Sequence, residues 1–323
     1  MVVNHIRFSE RSLFFLENRM EMQRNFIYRL VSKANMKVKL VTDASCLIPK
    51  ETIEKENIGI FESLIMIGDN EYRELSELDR EDFLNKLRDF DPYPTSSQVS
   101  MQNVIDVYNK AIEEGYDELL YLGLATTMSN HVNMARLGAK KMKNKIKITI
   151  YQTDLVSGSQ GSMVYNTIRL LKQNKTVEEI TKYLDSIKEK IYTIGVAVDM
   201  ESLFKSGRVK RGSAKGILAS LLKMKPLAEI NTKDGVIGVG AGTSFDSAIK
   251  KMIQKIEEHT DPNLTYDLFM SDALNPELMK KYEEAVKKAL KINDTHIWEM
   301  SPVMAMSTGK GAVTATVSPV LEI

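Results

Sequence analysis

A chain of 323 residues, 43% apolar and 27% charged, has ample material for one large or two medium globular units. A net charge of +1 excludes any global electrostatic case for nucleic acid or an anionic membrane, so an anion site has to come from local clustering. The single cysteine, Cys46, excludes an internal disulfide and fits a reducing, cytoplasmic setting. No apolar run reaches the ~18 residues of a membrane span, and no secretory leader is expected.

Residues 1–35 stand apart, with Arg7, Arg11, Arg19, Arg24, Arg29 and Lys33 set around Leu13, Phe14, Phe15 and Leu16. They read as a helical extension, poorly ordered ahead of a fold that starts at Met36, with a membrane- or partner-binding helix as the alternative. Met36–Val41 predicts a strand that runs into the polar turn Thr42-Asp43-Ala44-Ser45. A short helix is expected after Pro49, then an apolar run over Ile58–Met66 and a hairpin-like turn at Gly68–Tyr72. Asp79 is the expected N-cap of a helix that turns Phe83, Leu84, Leu87 and Phe90 inward.

Pro94-Thr95-Ser96-Ser97-Gln98-Val99-Ser100 carries four hydroxyls in seven residues and precedes an apolar helical pattern ending at Gly115. A turn of this kind reads first as an N-cap with spare serines. It also sets donors where a carboxylate or phosphate can sit. Leu119–Leu124 predicts a buried strand leading into Ala125-Thr126-Thr127-Met128-Ser129-Asn130, a second turn of the same type, and Ile146–Tyr151 predicts another strand. Strands alternating with helices indicate a mainly parallel sheet, whose ligands bind at the carboxyl ends of the strands. Asp43, Ser45, Ser96, Ser97, Thr126 and Thr127 are expected to gather at such an edge.

From about residue 155 a second unit is expected. It comprises a helix over Ser157–Leu171, a capping box at Thr176, a strand over Thr193–Val198 and a hairpin around Asp234-Gly235. Two helix–strand units then lead to a final pair of strands, Val303–Met306 and Ala312–Val317, with a hairpin turn at Ser307–Gly311 between them. The four histidines are scattered without ligand spacing, so no metal site is expected. His131 alone lies near a hydroxyl-rich turn, at a helix start, and a Ser–His hydrolase is the disfavoured reading. Lys205–Lys215 is the clearest basic cluster, and the helix after it, with Ile217, Leu218, Leu221, Leu222 and Met224, packs a core or walls an apolar tube. Eighteen methionines read first as core filler and second as adaptable apolar walls.

In order, these motifs resemble the DegV family, the fatty-acid-binding subunits of the bacterial fatty acid kinase system. The resemblance rests on Val41-Thr42-Asp43-Ala44-Ser45, Pro94–Ser100, Ala125–Asn130, the Asp199–Val209 segment with its Gly207-Arg208, and Lys225-Pro226-Leu227 with Asp234-Gly235. It covers Met36 to Ile323. It implies an α/β, two-domain DegV-like fold: an N-terminal α/β domain over 36–154 with a mainly parallel sheet, and a mixed-sheet domain over 155–323.

A long-chain fatty acid would lie between the domains, with no other cofactor, and an ATP-dependent partner kinase would phosphorylate its carboxylate. By resemblance the carboxylate falls to Ser96, Ser97, Thr126, Thr127 and Ser307, the partner face to Arg208, Lys210 and Arg211, and the acyl-chain pocket to Ile217, Leu218 and Leu221. Ser307 stands where the family has a histidine, and Gly240-Ala241-Gly242-Thr243-Ser244 carries no arginine. Both departures bear on kinase coupling more than on lipid binding. The alternative is an enzyme on a related fold that acts on a small phosphorylated or hydroxylated substrate.

Overall fold

The computed structural model describes residues 36–198 and 224–320. The first part of the chain runs β1 (Val38–Asp43), α1 (Lys50–Lys55), β2 (Gly59–Phe61), β3 (Leu64–Ile67), β4 (Asn70–Arg73), α2 (Arg80–Lys86), β5 (Thr95–Ser97), α3 (Met101–Glu113), β6 (Glu118–Gly123), α4 (His131–Lys141) and β7 (Lys147–Gln152). After it come α5 (Ser157–Lys172), α6 (Val177–Ile187), β8 (Tyr192–Val196), β9 (Lys225–Asn231), β10 (Gly235–Gly242), α7 (Phe245–His259), β11 (Tyr266–Asp272), α8 (Pro276–Ala289), β12 (Ile292–Glu299), α9 (Pro302–Thr308) and β13 (Val313–Pro319).

Strands β2, β1, β6 and β7 form a parallel sheet in that order. Its central strands are buried on both faces: β6 reads as a continuous apolar run, whereas β1 buries Lys39, Thr42 and Asp43 among its apolar residues. On one face Phe61, Tyr108 and Tyr121 pack together, with ring centroids 4.8 Å apart for Phe61–Tyr121 and 5.8 Å for Phe61–Tyr108. On the other face Leu40 and Leu122 join one core with Met163 and Val164 of α5 and with Phe269 and Trp298 of the second sheet. That sheet runs β10-β9-β8-β13-β11-β12 and is mixed, with antiparallel pairing throughout except for β11 beside β12.

α5 is the element shared by both sheets. A Cβ on Gly161 would stand 2.2 Å from the Cys46 carbonyl oxygen and 2.4 Å from the Trp298 ring, and one on Gly158 would stand 2.4 Å from Thr316 Oγ1. Small residues on this helix let it lie directly on both layers.

The structure departs from the sequence expectation at three places. Thr95–Ser97 is a short strand pairing with β3, and the N-cap of the following helix is Ser100, whose hydroxyl accepts from Asn103 N at 3.1 Å. The hydroxyl-rich stretch therefore divides into an edge strand and a cap. Val303–Met306, expected as a strand, is helix α9, with Ser301 as N-cap and Pro302 in its first turn. The expected hairpin turn at Ser307–Gly311 is then the exit from that helix, turning at Gly309 with φ 83°. Among the described residues no helix is long and apolar enough to cross a membrane.

Candidate functional site

In the sheet order β2-β1-β6-β7 the chain leaves β1 toward one side and returns at β6 on the other. The carboxyl ends of β1 and β6 are thus the switch point where such sheets open a crevice. A cavity of about 350 Å³ lies there, lined by Ser45 after β1, Ser63 before β3, Ser96 and Ser97 of β5, Ser129 and Asn130 after β6, and Met304 and Ser307 of α9. α9 lines it from the later part of the chain, and α9 and the segments before it are tied to the earlier part by two side chains. Tyr93 Oη donates to Met306 O at 2.8 Å, and Arg80 donates to Met300 O at 2.8 Å and Asp272 O at 2.7 Å.

Behind this cavity stands a fully buried polar network centred on Asp43, the last residue of β1. Its carboxylate accepts from Tyr121 Oη at 2.7 Å, Leu124 N at 2.8 Å and Gln160 Nε2 at 3.0 Å, and meets His131 Nδ1 at 2.8 Å. A buried carboxylate is tolerated only when its oxygens are filled in this way. Because Asp43 accepts, the ring proton of His131 sits on Nδ1, which leaves Nε2 facing Ser63 Oγ at 3.5 Å. Ser45 Oγ donates to Gln160 Oε1 at 3.0 Å, which links the cavity wall to the same network.

Ser63 is held from its other side by Glu74. Ser63 N donates to Glu74 Oε1 at 3.3 Å, and Glu74 N donates to Ser63 O at 3.1 Å. Burial pushes the Glu74 carboxyl above the usual carboxylate range, against the opposing pull of the Ser63 bonds and nearby His131. Its Oε2 has no hydrogen-bond partner among the described residues.

Of the expected carboxylate-binding residues, the structure brings Ser96, Ser97 and Ser307 to one cavity. Thr126 and Thr127 do not line it: both are exposed, and Thr126 Oγ1 accepts from Gln152 Nε2 at 3.4 Å. Met128, Ser129 and Asn130 of the same loop take their place. Arg208, Lys210, Arg211, Ile217, Leu218 and Leu221 lie outside the described residues, as does the 1–35 extension. Sequence reasoning missed Ser63, Glu74 and Gln160. The available signal was Ser63 itself, a polar break inside the apolar run from Ile58 to Met66.

A second, apolar cavity of about 70 Å³ adjoins the first and shares Met128, Met304 and Ser307 with it. Its remaining walls include Val196, Ala228, Ile230, Val236 and Ala312 from the second sheet and its neighbourhood. The pair therefore grades from hydroxyls to hydrocarbon across two methionines. A larger groove of about 850 Å³ lies at the amino ends of the parallel strands, lined by Lys37, Glu114, Glu118 and Lys147. Three of its charges are already engaged in ion pairs, Glu114 with Lys39 at 2.7 Å and Glu118 with Lys147 at 2.9 Å, and it sits at the end of the sheet opposite the crevice. Among the described residues no three His, Cys, Asp or Glu side chains cluster as a metal site would require.

The chain matches the model of the DegV family, a family of uncharacterised proteins, over residues 37–320. A DegV domain-containing protein of Listeria innocua is 25% identical over 289 residues, covering 87% of this chain and 98% of that one. Among solved structures, a DegV lipid binding protein from Thermotoga maritima aligns with a TM-score of 0.80 at 24% identity, covering 89% of this chain and 100% of that one. A fatty acid binding DegV family protein from Streptococcus agalactiae aligns at 0.77 and 25%, covering 88% and 100%. A DegV family protein from Eubacterium eligens, loaded with heptadecanoic acid, aligns at 0.76 and 15%, covering 87% and 99%. With the family model spanning nearly all of the described fold, the chain belongs to the DegV family.

Proposed function

We propose that the protein binds a long-chain fatty acid, with its carboxylate in the hydroxyl-lined cavity and its acyl chain directed past Met128 and Met304 into the apolar one. The observation that carries this reading is the shared wall of the two cavities, which passes from polar to apolar lining as the head and first methylenes of an amphiphile would require. Relatives described as fatty acid binding support it. Ser96, Ser97 and Ser307 are the proposed carboxylate donors, with Ser129 and Asn130 in place of Thr126 and Thr127. Such donors are needed because an unpaired buried carboxylate is costly.

Affinity comes mainly from the tail, at about 0.8 kcal/mol per buried methylene. An apolar space of about 70 Å³ takes only the start of such a tail. Entry of a long chain therefore requires Met128 and Met304 to change rotamer, which unbranched thioethers do at low cost. The division into units at 36–154 and 155–323, with the ligand between them, belongs to the same reading. So does presentation of the carboxylate to an ATP-dependent kinase through Arg208, Lys210 and Arg211.

Titration of delipidated protein with palmitate and with hexadecanol tests the head-group assignment. Palmitate binds more tightly to the wild type, and the Ser96→Ala, Ser307→Ala double variant loses that preference. Equal binding of acid and alcohol by the wild type contradicts the assignment. Mixing the loaded protein with a fatty acid kinase and ATP tests coupling, with acyl-phosphate formation falling in Arg208→Ala.

A further inference from the structure

The buried network contains an arrangement that fatty acid binding does not use. Asp43 Oδ1 meets His131 Nδ1 at 2.8 Å, and His131 Nε2 meets Ser63 Oγ at 3.5 Å, while Ser63 lines the polar cavity. Carboxylate, imidazole and hydroxyl stand in the order and spacing of a serine nucleophile with its base, and such hydroxyl–imidazole distances are often loose before substrate enters. We propose that Ser63 is a nucleophile, His131 its general base and Asp43 the positioning residue, and that the protein hydrolyses long-chain acyl esters and thioesters held in the polar cavity. The acyl-chain preference rests on the fatty-acid reading of the cavities; the serine chemistry does not.

Three features of the site fit this role. Asp43 is held rigid by Tyr121, Leu124 N and Gln160, so it fixes the tautomer of His131 and stabilises the imidazolium that forms on proton transfer. The Ser63 backbone is clamped on both sides by Glu74, which holds the residue at the cavity wall. His131 opens helix α4, whose N-cap Asn130 makes no side-chain cap bond and itself lines the cavity. The first-turn N–H groups and positive end of that helix are thus next to the cavity in which an oxyanion would develop.

In the first step the Ser63 hydroxyl proton passes to His131 Nε2 as Oγ bonds to the acyl carbonyl carbon. The bond to the leaving alcohol or thiol breaks, and that group takes the proton from His131. A water molecule then loses a proton to His131 and attacks the acyl-serine ester. Ser63 recovers its proton and the fatty acid departs, so the sum is acyl ester plus water giving acid plus alcohol or thiol.

The test uses the full-length, delipidated protein with p-nitrophenyl acetate, octanoate and palmitate, and with a fluorophosphonate probe located by peptide mapping. Label on Ser63, with turnover rising from acetate to palmitate and falling at least about 100-fold in Ser63→Ala and His131→Gln, supports the proposal. Asp43→Asn should lower kcat without raising KM and shift the pH–rate profile, and the profile shift is the readout that a purely structural residue would not move. Circular dichroism establishes that each variant is folded, and probe mapping on the wild type stands whether or not they are. Absence of label on Ser63 in wild type, or wild-type turnover by Ser63→Ala, overturns the proposal; fatty acid found in the same protein would leave the binding reading intact. Label on Ser63 with turnover confined to the acetate ester upholds the serine chemistry and removes the acyl-chain reading.

Discussion

Met304 sits where the hydroxyl-lined and apolar cavities meet and is 7% exposed. Met304→Ala removes this wall and joins the two spaces. Truncating a buried methionine costs roughly 2–5 kcal/mol, and a side chain already bordering two cavities falls toward the lower end, about 2–3 kcal/mol. With an unfolding entropy of about 2.1 cal/mol/K per residue, each kcal/mol moves the Tm of a chain of this size by roughly 1.5 °C, so the delipidated variant unfolds roughly 3–5 °C below wild type. A ligand that binds only the folded state, present at 100 times its Kd, returns about 2.7 kcal/mol. Palmitate at that excess therefore restores the variant close to the Tm of delipidated wild type. At one fixed palmitate concentration its shift exceeds that of wild type, because no methionine has to be displaced and its Kd is lower. Differential scanning fluorimetry with and without palmitate reads both numbers. A smaller palmitate shift in Met304→Ala than in wild type refutes the idea that this side chain separates head-group space from tail space.

Other outcomes follow from single residues. The Glu74 carboxyl is raised by burial, so the folded state holds its proton where the unfolded chain has lost it, and stability falls as pH rises through that window. Glu74→Gln should match wild type in Tm below the ordinary carboxylate range and exceed it increasingly above, and a pH-independent difference in thermal melts contradicts this. Gly161→Ala drives a methyl into the Cys46 carbonyl and the Trp298 ring. Overpacking against backbone costs about 1–3 kcal/mol, so urea denaturation should show a lower midpoint; an unchanged midpoint means α5 does not clamp the two sheets. The Cys46 thiol is buried and pushed up to about 12, chiefly by burial. It should resist iodoacetamide in native protein at pH 8 and react fully in denaturant, whereas rapid native labelling refutes its placement.

The parallel sheet was legible because β1 alternates around Val38 and Leu40, β6 is a continuous apolar run, and both end in polar turns, while the caps at Asp79 and Thr176 are local signals with local partners. α9 was misread as a strand because a short apolar run carries no period of its own, although Ser301-Pro302 marked a helix start. Strand β5 was read as a turn since its only claim to strand structure is pairing with β3, a partner about thirty residues away. Ser96, Ser97 and Ser129 of the cavity wall were visible in hydroxyl-rich stretches, whereas Ser63 was not. The relation of the wall to Asp43 and His131 was not legible either, because His131 lies 88 residues from Asp43 and 68 from Ser63, and only the tertiary fold joins them. Thr126 and Thr127 had the right chemistry in the right loop, yet the turn presents its later residues, Met128 to Asn130, to the cavity.

Binding of a long-chain fatty acid is tested most directly by native mass spectrometry of full-length protein purified from a bacterial host, followed by denaturation and identification of the released small molecules. The account predicts one long-chain fatty acid per chain, lost on delipidation and regained on adding palmitate. Protein that carries no acyl chain under gentle conditions and takes up none from added palmitate would contradict it.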